Sequence, residues 1–245
     1  MDTARRVRIL RQHLQTEALL GVDAVPRGTT TPAAAVAVEP SPTPTPQFAP
    51  ASDAAPELDR GTKLKVLQAM DNDEVKGCTR CVLCESRTQT VFGEGDCDAD
   101  LLFIGEGPGQ TEDELGRPFV GRAGDLLNKQ IEAMKLTREQ VFIANIVKCR
   151  PPQNRTPAPD EVDACSDYLR RQIATIRPKV IVTLGGPATK FMLDTNTGIT
   201  KLRGVWHQYT DLLSGGLTIP VMPTFHPAYL LRAYTPDNRR KVWSD

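Results

Sequence analysis

Two sets of residues in this 245-residue chain have the types and spacing that chemistry requires. The first is a set of thiols. Cys78 and Cys81 form a C-x2-C pair, Cys84 repeats the spacing, and Cys149 and Cys165 follow far along the chain. Four thiolates drawn from two distant segments suit a tetrahedral zinc or a [4Fe–4S] cluster. Structural zinc usually draws on two local C-x2-C knuckles. Fifteen residues separate Cys149 from Cys165, so the spacing leans towards the cluster. Cys97, alone in an acidic turn, fits a small buried hydrophobe, as to a lesser degree does Cys84.

The second set is polar and sits at the ends of apolar runs. Glu106 follows LLFIG (101–105), Asn145 lies within VFIANIVKC (141–149), and His226 follows TIPVMPTF (218–225). Around Glu106 and Pro108 stand Gly105, Gly107 and Gly109, a turn without bulk that brings a ligand against bare backbone N–H groups. A second glycine-rich turn, 116–124, carries one aromatic, Phe119, and leads into a helix. Polar residues delivered by separate strands to one sheet edge make a stronger case for a site than any one motif does.

The elements that must position these residues alternate. The apolar runs 101–105, 141–149, 180–185 and 218–225 read as strands. Between them, helices are expected over about 124–135, from an Asp160 N-cap to Ile176, and over PATKFML (187–193). TKLKVLQAMDNDEV (62–75) reads as a helix ahead of Cys78, and the region around KLRGVWHQY (201–209) as irregular. Strands separated by helices predict a three-layer α/β/α fold with a central, mostly parallel four-stranded sheet. Residues 4–21 could form a short helix. From about Val22 to Pro56 the chain turns to Ala, Pro and Thr, which cannot bury enough apolar surface to offset the entropy of ordering. The expected division is therefore 1–60, an N-terminal helix plus a disordered linker, and 61–245, the domain that carries the chemistry.

Composition excludes several classes. The 30 basic and 30 acidic residues cancel, so no global field advertises nucleic acid, although residues 150–245 hold 13 Lys and Arg against 8 Asp and Glu. The Arg residues of that segment are available to phosphates. No run of apolar residues is long enough to span a bilayer, and no apolar stretch opens the chain as an export signal would. The cysteines are then expected in a reducing compartment, the cytoplasm, where metal binding or catalysis outranks disulfides. The Arg-rich opening MDTARRVRILRQHLQ suits a short partner-binding helix, or no function, better than a transit peptide.

Taken in order, GEGPG, ED, GRPFVGRAG, NIVKCRPPQNR and HPAYLLR resemble the family 4 uracil-DNA glycosylases, from Cys78 to about Trp243. The resemblance implies a monomeric base-excision enzyme that hydrolyses the N-glycosidic bond of deoxyuridine in single- or double-stranded DNA at the nucleoid. It implies Cys78, Cys81, Cys149 and Cys165 as ligands of a [4Fe–4S] cluster. Glu106, Gly107 and Pro108 correspond to the uracil-contacting turn, Phe119 to the stacking aromatic and Asn145 to the amide that reads the base. Glu112 stands where a residue crowds the C5 edge and excludes thymine. His226 corresponds to the catalytic histidine, with Glu106 as a second catalytic candidate. Arg150, Arg155 and Arg232 are expected on DNA phosphates, and the N-terminal segment on a replication or repair partner. The family also leads one to expect a further helix where the chain stops, at Trp243-Ser244-Asp245, and so a terminal piece that is absent or short. The competing reading is a non-catalytic metal-binding module that recruits DNA or a replication partner.

Overall fold

A computed structural model of the chain describes residues 57–213 and 215–245. The helix expected over 4–21 and the linker over 22–56 lie outside the described residues. Six strands form one mixed sheet: β1 (Glu94–Gly95), β2 (Leu101–Gly105), β3 (Phe142–Asn145), β4 (Val180–Leu184), β5 (His207–Asp211) and β6 (Leu217–Thr224), in the order β1-β3-β2-β4-β6-β5. Strands β3, β2, β4 and β6 are mutually parallel, and β1 and β5 flank them antiparallel. The expected four-stranded sheet is thus the parallel core, and two edge strands must be added. β5 (HQYTD) escapes a pattern search because an edge strand buries little and keeps polar residues.

Helices cover both faces. On one side α1 (Arg60–Ala69), α4 (Pro159–Ile176) and α5 (Gly186–Leu193) join a core that takes Leu102, Ile104, Phe142, Ala144, Ile181 and Val221 from the sheet. On the other, α3 (Arg122–Ala133) sends Leu127 and Ile131 against Phe103, Ile143 and Leu184. Alternate residues of one strand thus serve opposite layers, as the pleat dictates. Tyr168, Leu169 and Ile173 line the buried stripe of α4 at helical spacing.

Several boundaries differ from expectation for local reasons. The run 141–149 leaves the sheet at Asn145, and the chain turns so that the Lys148 amide donates to Cys165 Sγ at 3.2 Å. α4 starts at Pro159 rather than after an Asp160 cap; the Glu161 carboxylate turns back to accept from the Ala158 N–H at 2.7 Å. α1 continues through a π-helical turn, Met70–Val75. A short helix, α2 (Gln110–Leu115), and the helices α6 (Ile199–Leu202), α7 (Pro227–Arg232) and α8 (Pro236–Ser244) complete the described set. No described helix is long and apolar enough to cross a membrane.

Candidate active site and cysteine cavity

All four parallel strands finish at one edge, where open α/β sheets place their ligands. The Cα positions of Gly105 and Asn145 are register partners, as are those of Leu184 and Thr224, so Glu106 and Gly185, which come next, and His226, two residues past Thr224, rim a common cleft. This cleft has a volume of about 630 Å³. Glu106, Gly107, Pro108, Glu112, Phe119, Asn145 and His226 all line it, together with Arg155 and Arg232.

Asn145 is 1% exposed at the tip of β3, and its Oδ1 is the only buried side-chain polar atom without a partner among the described residues. A buried acceptor left open costs on the order of 1–3 kcal/mol, a cost a ligand N–H would remove. Gly105 makes room for it: a Cβ there would stand 2.4 Å from that oxygen and 2.6 Å from Phe119 Cζ.

Phe119 sits in the left-handed region at φ 50°, unusual for a bulky aromatic, with its ring centroid 5.6 Å from that of His226. The turn that holds it is tied from outside. Glu112 Oε1 accepts from the Val120 and Gly121 N–H groups at 2.9 and 2.8 Å. The Arg138 guanidinium donates to the carbonyls of Pro118 and Phe119.

His226 caps α7: its Nδ1 accepts from the Ala228 N–H at 3.0 Å. That bond assigns the ring proton to Nε2. Desolvation, reinforced by the Arg232 charge, lowers the imidazole pKa to about 4. The ring is therefore a neutral donor at physiological pH. Burial pushes the Glu106 carboxyl above its ordinary range, while a hydrogen bond with Thr156 pulls it back. Thr156 carries no signal in the sequence that would single it out.

The three arginines do not stand alike. Arg232 and Arg155 face the cleft, but Arg155 is engaged with Glu161 at 2.8 and 2.6 Å. Arg150 lies outside the cleft lining and donates to Asn154 Oδ1 at 2.8 Å.

Behind the cleft, Cys78, Cys81, Cys84, Cys149 and Cys165 line one small cavity, and no described cysteine is in a disulfide. N–H groups point at the sulfurs: Arg87 Nη1 lies 3.2 Å from Cys149 Sγ and the Lys148 amide 3.2 Å from Cys165 Sγ. Burial raises the Cys149 thiol pKa, against the pull of Arg87, and pushes that of Cys165 up to about 11. Among the described residues, only Asp96, Cys97 and Asp98 bring three ligand atoms within 4.8 Å of one another. Cys97 is buried in the core, apart from that cavity. Sequence reasoning assigned no role to Arg87, Lys148 or Arg138, since their work is visible only as contacts.

A family model described as uracil DNA glycosylase superfamily matches residues 92–245. A type-4 uracil-DNA glycosylase of Thermotoga maritima is 48% identical over 180 residues, spanning 73% of this chain and 91% of that protein. The type-4 enzyme of Sulfurisphaera tokodaii is 48% identical over 181 residues, covering 71% of this chain and 79% of its own length. That of Archaeoglobus fulgidus is 41% identical over 173 residues, covering 70% and 86%.

Proposed function

The chain belongs to the uracil DNA glycosylase superfamily, in its type-4 branch, and on that footing we propose that its cleft takes in a flipped-out uracil held by the residues lining it. The protein is a uracil-DNA glycosylase of base excision repair: it hydrolyses the N-glycosidic bond of deoxyuridine in DNA, releasing uracil and leaving an abasic site. The observation that carries the site assignment is the open Oδ1 of buried Asn145. Uracil N3–H donates to that oxygen, and the amide N–H of the same side chain donates to O4. Cytosine reverses both partners, and a mismatched polar pair in a dry pocket is costly.

The reaction needs the base outside the helix, at a cost of roughly a few kcal/mol. Stacking on Phe119 returns on the order of 1–3 kcal/mol of that. Glu112, tied to the backbone of the Phe119 turn, occupies the volume beside C5 where a thymine methyl would go. As the glycosidic bond lengthens, negative charge builds on uracil O2 and positive charge on the sugar. His226 donates its Nε2–H to O2, and backbone N–H groups of the 105–109 turn add to it. One such preorganised donor is worth about 3 kcal/mol. A neutral imidazole stabilises the anion as a hydrogen-bond donor and keeps its proton. Glu106 orients the attacking water and faces the developing positive charge. Gly107, beside it, has no side chain to act as a base.

Cys78, Cys81, Cys149 and Cys165 hold a [4Fe–4S] cluster, a reading supported by their gathering in one cavity, by the N–H groups aimed at two of the sulfurs and by the type-4 relatives. When bound, it supplies a structural cross-link and no redox step. Arg232, Arg155 and Arg150 meet DNA phosphates, with Arg155 exchanging its Glu161 partner for a phosphate. Residues 61–245 form the catalytic domain of a monomer working at the nucleoid in the cytoplasm. Residues 1–60 tether it to a replication or repair partner.

The test is single-turnover excision from uracil-containing and undamaged single strands, followed by alkali. Scission is expected with uracil alone. Asn145→Ala and His226→Ala should each slow it by about 10²–10³-fold in protein that circular dichroism shows to be folded. Wild-type rates in both would refute the assignment.

A further inference from the structure

We propose that Arg138 is a positioning residue for base recognition, acting through Phe119 by holding its backbone in the left-handed conformation. The inference rests on Phe119 being the stacking residue. Arg138 lies outside the cleft, in the 3-10 turn Arg138–Gln140 that precedes β3, and its side chain is 14% exposed. Its guanidinium is committed in every direction. One Nη donates to the Pro118 carbonyl; the other donates to Phe119 O at 3.2 Å and Asn128 Oδ1 at 3.1 Å; Nε donates to Glu94 Oε1 at 3.2 Å. Glu94 is itself fixed by Arg117 at 2.7 Å.

Two consecutive carbonyls satisfied by one planar fork fix the two peptide planes that flank Phe119, and with them its φ and ψ. Those angles need fixing. A non-glycine residue at φ 50° is strained. The Phe119 carbonyl also lies in the space that Gly124 of α3 leaves free, since a Cβ there would stand 1.9 Å from it. Released, Phe119 would relax towards negative φ and carry its ring away from Gly105 and His226. On the far side of the turn, Glu112 takes the next two N–H groups, so the aromatic is clamped between a cation on the carbonyls and an anion on the amides. A lysine places one donor at one carbonyl and cannot reproduce the fork.

The experiment is a double-mutant cycle in single-turnover uracil excision, using Arg138→Lys and Phe119→Ala singly and together, with melting followed for each. Arg138→Lys is expected to slow excision at least tenfold in the wild-type background. With Phe119→Ala already present, it should change the rate less than twofold, because the ring it positions is gone. Asn128→Ala, which removes the guanidinium's anchor on α3 and leaves residues 116–121 and their partner Glu94 unchanged, should show a smaller effect with the same non-additivity, and serves if Arg138→Lys folds poorly. A wild-type rate in Arg138→Lys, or equal slowing in both backgrounds, overturns the inference and leaves the stacking role standing. A wild-type rate in Phe119→Ala instead removes the stacking role, and the inference with it.

Discussion

Burial and the neighbouring Arg232 charge hold His226 at a pKa of about 4, so the imidazole that faces the cleft is neutral across the physiological range. An unfolded histidine takes its proton near pH 6.5, whereas the folded one resists to about pH 4. Between those values the unfolded chain binds more protons, so this contribution to stability is lost as pH falls through that window. Melting temperature should therefore drop from pH 6.5 to 4 more steeply in the wild type than in His226→Asn; parallel slopes would remove the depressed pKa from consideration. The residue types at 106, 145 and 226 marked the cleft in the sequence, and the three side chains do line one cavity. What each touches was hidden. Nothing in the letters says that Ala228 fixes the His226 tautomer or that Arg155 is occupied by Glu161.

The elements that bring these groups together are short, and their ends matter more than their middles. β2 finishes on Gly105, where any side chain would meet Asn145 Oδ1 and the Phe119 ring. Gly105→Ala should cost about 1–3 kcal/mol in stability. Its larger effect should be on excision, with the rate falling by at least about 100-fold in protein that circular dichroism shows to be folded. A near-normal rate would mean the strand end has slack that the contacts deny. The parallel core was readable from apolar runs and the helices between them. The edge strands were not, since Glu94–Gly95 is two residues long and His207–Asp211 has the polar alternation of a loop. The run through Cys149 read as one strand because its hydrophobicity continues to Val147. It stops at Asn145 because Lys148 and Cys149 are drawn into the cysteine cavity.

At the level of the molecule, the thiol cavity stitches the segment before the sheet, Cys78–Cys84, to β3 and α4. The hydrolysis calls for no electron, so the cluster's contribution should be read in stability and binding. Removing iron should lower the melting temperature and weaken DNA binding together, followed calorimetrically and by titration of a uracil-free strand. If both stayed put, the cross-link would be idle.

Lys148 sits between the two centres. Fully buried, it donates through Nζ to the Asn145 carbonyl at 3.0 Å and to Gln172 Oε1 at 2.6 Å, while its own amide reaches the Cys165 sulfur. One side chain and one peptide thus splice the sulfur nest to the strand tip to which we assign base reading. If the cavity holds the proposed cluster, a slackening there is passed to the pocket through Lys148. Iron starvation would then reach genome upkeep as blurred recognition in a less stable protein.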